Sequence, residues 1–168
     1  MIGLKTIKEH DLSKVIKQTD KVSCMACVAC MATNTGIEDF RRYFHFFCKG
    51  PPYSDLDLYR YLLSKGYALG IGFRNFKGYT FRPKNNLRIQ FNLEDFPAYV
   101  IVKSHRFKGM THAVYWDGKK ILDPNPTIEG DGLPLEKYEI LSWFPIVEFW
   151  VNGEICLKSK EVKDEGKI

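Results

Sequence analysis

Long apolar runs are missing from this chain. No stretch approaches the ~20 consecutive apolar residues of a membrane-crossing helix, and Met1-Ile2-Gly3-Leu4-Lys5 is not followed by the apolar core of a signal peptide. The expectation is a cytoplasmic protein with no membrane partner. Internal repeats and low-complexity linkers are also missing, so residues 1–168 read as a single domain. The net charge of +5 comes with no arginine-rich stripe and no known nucleic-acid motif, and part of it sits in a lysine-rich tail, 158–168, expected to be solvated. No nucleic-acid partner is expected. An even set of cysteines is missing: five residues, an odd number, fit reduced thiols better than a disulfide framework.

What is present is enough apolar and aromatic material, 45% and 14%, to exclude a disordered chain and to build a core. Lys8–Lys17 reads as a short polar helix or turn. Cys24–Thr33 is small and apolar and predicts a buried helix, with Ser23 as N-cap and Asn34-Thr35-Gly36 as its end. A second, aromatic-rich helix is expected from Glu38 to about Phe47. Ser54 and Asp57 stand at capping-box spacing before a Leu-rich helix through Leu63, stopped by Gly66. Tyr67–Phe73 reads as a strand, Asn75–Asn92 as polar and irregular, and Pro97–Val102 as a strand. Near the end, Leu135–Leu141 suggests a helical turn and Ile146–Val151 a strand. Helices first and a mostly antiparallel sheet second indicate an α+β fold.

The richest stretch runs from His112 to Pro124. Asp117-Gly118 is a two-residue turn signal between runs of β-formers. Folding the chain about it pairs Trp116 with Lys119, Val114 with Ile121 and His112 with Asp123. Directly opposed residues share a face, and a carboxylate there can hold one imidazole nitrogen and orient the other as a general base. A nucleophile for that base is offered by Cys24 at the first position of the buried helix, where unpaired N–H groups and the positive dipole end favour a thiolate. The same N–H groups can receive an oxyanion, and Gln18, six residues upstream, offers a second donor through its side-chain amide.

These residues, in this order, resemble papain-like cysteine peptidases of the C39 type, the family that includes bacteriocin-leader peptidases. The matching features are Gln18, Cys24, the Leu-rich Leu56–Leu63 with Gly66-Tyr67, Pro97-Ala98, His112-Ala113-Val114 and Asp123-Pro124, spread over roughly residues 18–150. The resemblance implies a papain-like α+β fold, a peptide or protein substrate and no cofactor. It also implies Cys24 as nucleophile, His112 as base and acid, Asp123 as orienter and Gln18 as oxyanion donor. One departure stands out: Met25 occupies the position after the nucleophile where the family usually has Gly.

Other readings remain beside this one. Met25 could mark an inactive peptide- or protein-binding module on the same fold. The His-to-Asp-Pro segment is also similar to transglutaminase-like acyltransferases, which pass the acyl group to an amine. Cys24, Cys27 and Cys30, with Cys48, have the spacing of an iron–sulfur or zinc site, but Met, Ala and Val spacers favour a packed helix over a metal loop, so no metal is expected. Cys27, one turn deeper, is the rival nucleophile; the spacing from Gln18 favours Cys24. His10, His45 and His105 lack a suitably spaced partner, and Phe40, Tyr43, Phe44, Phe46 and Phe47 are expected in the core or lining a groove.

Overall fold

The computed structural model describes residues 14–46, 50–74, 79–81, 89–91, 93 and 96–148. Lys8–Ser13, Phe47, Cys48, Cys156 and the expected tail at 158–168 lie outside the described residues. Three helices come first: α1 (Cys24–Thr33), α2 (Ile37–His45) and α3 (Asp55–Ser64). The side chains of α1 are small enough for it to be the helix around which the others pack, and Ala26 through Met31 are buried. Asn34 closes it at φ 53°, a left-handed conformation that asparagine tolerates. Ser23 does precede the helix, but its hydroxyl makes no capping bond, which leaves first-turn N–H groups without a side-chain acceptor from the cap.

In α2, Glu38 and Asp39 at the start and Arg42 and His45 at the end complement the helix dipole. Its inner face sends Phe40 among Phe44, Tyr53 and Tyr61, with ring centroids 4.8, 4.9 and 4.7 Å away. Phe46 is instead largely exposed. The capping box of α3 forms, its Asp57 carboxylate accepting from the Ser54 N–H and hydroxyl, both at 2.7 Å. Tyr61 then joins the helices: its hydroxyl donates to Asp39 at 2.6 Å and meets Thr35 at 2.7 Å.

The strands are β1 (Tyr67–Leu69), β2 (Phe73–Arg74), β3 (Tyr79–Phe81), β4 (Ile89–Phe91), β5 (Ala98–Lys103), β6 (Thr111–Trp116), β7 (Ile121–Leu122) and β8 (Ile140–Glu148). An antiparallel sheet runs β1-β8-β5-β6-β7, with β2 pairing further along β8. Alternation along its strands separates two cores. Tyr99, Ala113 and Tyr115 face the helices, whereas Ala98, Val100, Val102, Val114 and Trp116 face Tyr138 and Trp143 on the other side. The fold class is α+β, as the order of elements predicts.

Several expectations need correction. Tyr67–Phe73 is two short strands, because Gly70-Ile71-Gly72 breaks the run where a Cβ on Gly72 would lie 2.3 Å from the Phe144 ring. Asn75–Asn92 is not wholly irregular, since β3 and β4 pair within it. The turn near Leu135 is a 3-10 turn of three residues, Leu135–Lys137, and Ile140 and Leu141 already belong to β8. Residues 14–17 form neither helix nor turn.

Candidate active site

The β6–β7 hairpin differs from its expected register by two residues. Tyr115 pairs with Leu122 and Trp116 with Ile121, so the central turn residues are Gly118 and Lys119. Gly118 takes φ 95°, and the Asp117 side chain accepts from the Lys119 and Lys120 N–H groups at 2.7 and 2.8 Å. Aspartate is thus the flank that caps the turn, and glycine supplies the positive φ at its first central position. A shift by an even number of residues keeps every side chain on its face. Extended past β7, this register makes Asp123 a diagonal neighbour of His112, and an imidazole is long enough to reach it.

The two side chains meet: His112 Nε2 lies 2.7 Å from Asp123 Oδ1. His112 is the second residue of β6, and its ring also interacts with the Cys24 thiol at the start of α1. Cys24 is half-buried, whereas Cys27 and Cys30 are wholly buried. Burial pushes the Cys24 thiol up, but hydrogen bonding to His112 and to the Ala113 and Met25 backbones, with the charge of His112, brings it below the ordinary thiol value. Burial dominates at the other two, raising Cys27 to about 12 and Cys30 to about 11. Of these three thiols, Cys24 has the electrostatics of a nucleophile.

His112 is pulled the opposite way. Burial lowers its pKa, yet Asp123 and Cys24 together raise it to about 9. Asp123 is fully buried; burial raises its carboxyl, and the bonds from His112, the Asn125 N–H and Tyr138 bring it below the usual carboxylate value. Its Oδ1 accepts from the Asn125 N–H at 2.7 Å, and its Oδ2 from the Tyr138 hydroxyl at 2.8 Å. A thiolate–imidazolium pair backed by a buried carboxylate can attack a carbonyl and return a proton to the leaving group.

Gln18 is brought to the same region by its backbone, whose N–H donates to the Pro124 carbonyl at 2.8 Å. Its side chain is buried, with Nε2 donating to the Asp20 carbonyl at 2.7 Å and Oε1 without a partner among the described residues. The Asp20 bond uses one of the two amide hydrogens, so the other stays available as a donor. Met25 is half-buried, packed against the helical core, and its N–H lies at the Cys24 sulfur.

Three supporting residues escape a reading of the sequence. Lys17 Nζ donates to the carbonyls of Asp123 at 3.0 Å, Asn125 at 3.4 Å and Ile128 at 2.9 Å, tying the chain before α1 to the loop after β7. Asn125 follows Asp123 at the i+2 spacing of an Asx turn, a signal that Asp-Pro-Asn does carry. Tyr138, fifteen residues past Asp123, has no local signal. Among the other histidines, His105 is exposed with its ring edge-on to Tyr138 at 5.4 Å, and His45 lies by Arg41 and Arg42 in an open groove. Among the described residues no group of three or more His, Cys, Asp or Glu is placed to hold a metal, and no helix is long and apolar enough to cross a membrane. Compared with family models, curated proteins and solved structures, the chain finds no match in any of the three.

Proposed function

We propose that the chain is a papain-like cysteine hydrolase of the C39 type that cleaves peptide or isopeptide bonds. The observation that carries this reading is the continuous line from Cys24 through His112 to Asp123, in which Cys24 alone of three neighbouring thiols is held below its ordinary value. Cys24 Sγ, as thiolate, attacks the scissile carbonyl carbon. The oxyanion is received by N–H groups at the start of α1 and by the free amide hydrogen of Gln18. His112 gives its proton to the departing amine, leaving a thioester on Cys24. It then takes a proton from water, which attacks the thioester and releases the acid and the thiolate. Asp123 holds the His112 Nε2 side throughout, so that the other ring nitrogen serves the chemistry.

The test is turnover of a broad peptide and isopeptide library by the full chain. Cleavage that disappears in Cys24→Ala is the expected result. Peptide binding without cleavage, equal in the wild type and Cys24→Ala, would replace the hydrolase with a binding module. Amine-linked products in the presence of a primary amine would replace hydrolysis with acyl transfer.

A further inference from the structure

We propose that Tyr138 is a positioning residue of this site, fixing the buried Asp123 carboxylate so that its Oδ1 is committed to His112. The inference deepens the catalytic reading and rests on it for its effect on turnover. Its geometric part stands on the hydrogen bonds alone.

The Tyr138 hydroxyl lies between two groups. It accepts the Leu133 N–H at 3.0 Å, which occupies a lone pair. Its own hydrogen is therefore directed to Asp123 Oδ2, 2.8 Å away. The same carboxylate takes His112 Nε2 and the Asn125 N–H on Oδ1, both at 2.7 Å. With a donor on each side, rotating the carboxylate breaks at least two charge-assisted bonds inside a site where Asp123 is 0% exposed. Tyr138 is itself buried and held by close packing: an added Cβ on Gly132 would lie 3.3 Å from its hydroxyl and 2.6 Å from the Ile121 carbonyl oxygen. The His105 ring meets its edge from the outer side. Among the described residues, the charged or titratable groups at this chain of contacts are Cys24 and Asp123 at His112, Tyr138, Lys17 and His112 at Asp123, and His105 at Tyr138.

Removing the hydroxyl leaves Oδ2 buried without that donor, so more of the negative charge is borne toward His112. The imidazolium becomes harder to deprotonate and a poorer acid toward the leaving amine. In Tyr138→Phe the ring and its packing stay. The experiment follows the His112 ring nitrogens of the full chain by NMR across pH, beside kcat and KM. The expected result is a His112 midpoint moved upward by roughly half a pH unit, with kcat at neutral pH reduced on the order of tenfold and KM nearly unchanged. In the unaltered protein, the Tyr138 ring carbon bearing the hydroxyl should step at the same pH at which His112 titrates. A variant that loses stability with the His112 midpoint unmoved overturns the proposal, as does the absence of that step. A moved midpoint in a protein that cleaves nothing upholds Tyr138 and removes the hydrolase reading instead.

Discussion

At the scale of single residues, the site is a contest between burial and partners, and each group resolves it differently. Cys24 is held below the ordinary thiol value despite burial, while His112 stays protonated up to about 9. Iodoacetamide should therefore modify Cys24 first at neutral pH, read by mass-spectrometric mapping, with a rate that rises below the pH at which ordinary thiols ionise. In the proposed hydrolysis turnover needs the His112 proton as well, so kcat/KM should climb with the alkylation rate and then fall as pH passes about 9. The sign for stability follows from the same raised value. Protonated His112 stabilises the fold fully below its ordinary value of 6.5, and that contribution fades as pH rises through about 9. The difference in urea midpoint between wild type and His112→Gln should accordingly shrink toward pH 10. Asp123→Asn should lower kcat strongly, because an amide can present the wrong partner to the ring. Gln18→Ala should lower it ten- to a thousandfold, roughly the range for one oxyanion donor. A Gln18 variant with unchanged kcat would assign that amide to the Asp20 turn alone.

At the scale of elements, the loop after β7 is what converts a hairpin into a site. Lys17 holds it through three carbonyls, so Lys17→Met should lower the unfolding free energy, read by urea denaturation, by about 1–3 kcal/mol and slow Cys24 alkylation at pH 7. A loop that keeps its alkylation rate without the ammonium would show that the Gln18-to-Pro124 backbone bond suffices. Gly72→Ala drives a Cβ against Phe144 and should cost about 1–3 kcal/mol, with alkylation of Cys24 retained. The elements differ in how plainly the sequence announces them. The bounds of α1 are legible because Cys24–Thr33 is uniformly small and apolar between a serine and a left-handed asparagine. The capping box of α3 is equally local. The hairpin register is not, because Asp-Gly can be the two turn centres or, as here, a capping flank and the first centre. The pairing of His112 with Asp123 was nevertheless readable, since both registers place them on one face. Tyr138 and Lys17 reach Asp123 from 15 and 106 residues away, and no periodicity or turn rule signals such contacts.

At the scale of the whole molecule, the sheet separates two cores, and the groups that meet at Cys24 are carried by parts of the chain far apart in sequence. Cys24 rides on α1 against the helical core, while Asp123 and its Tyr138 brace belong to the opposite side with Trp143. Cys24 reactivity should therefore collapse to that of an ordinary thiol in the same urea transition that unfolds the helices, with alkylation rate and far-ultraviolet circular dichroism giving one midpoint. Reactivity lost at lower urea would instead mark the 123–128 loop as opening before the rest. The long span between Cys24 and His112 has a further consequence during synthesis. A ribosome must complete α1, the other helices and β5 before the imidazole exists, so for the 88 residues from Cys24 to His112 a nascent chain carries the thiol without its partner. That thiol gains its imidazole neighbour only once β6 has been made and docked against α1, so its lowered pKa is a property of the folded chain and not of the nascent one.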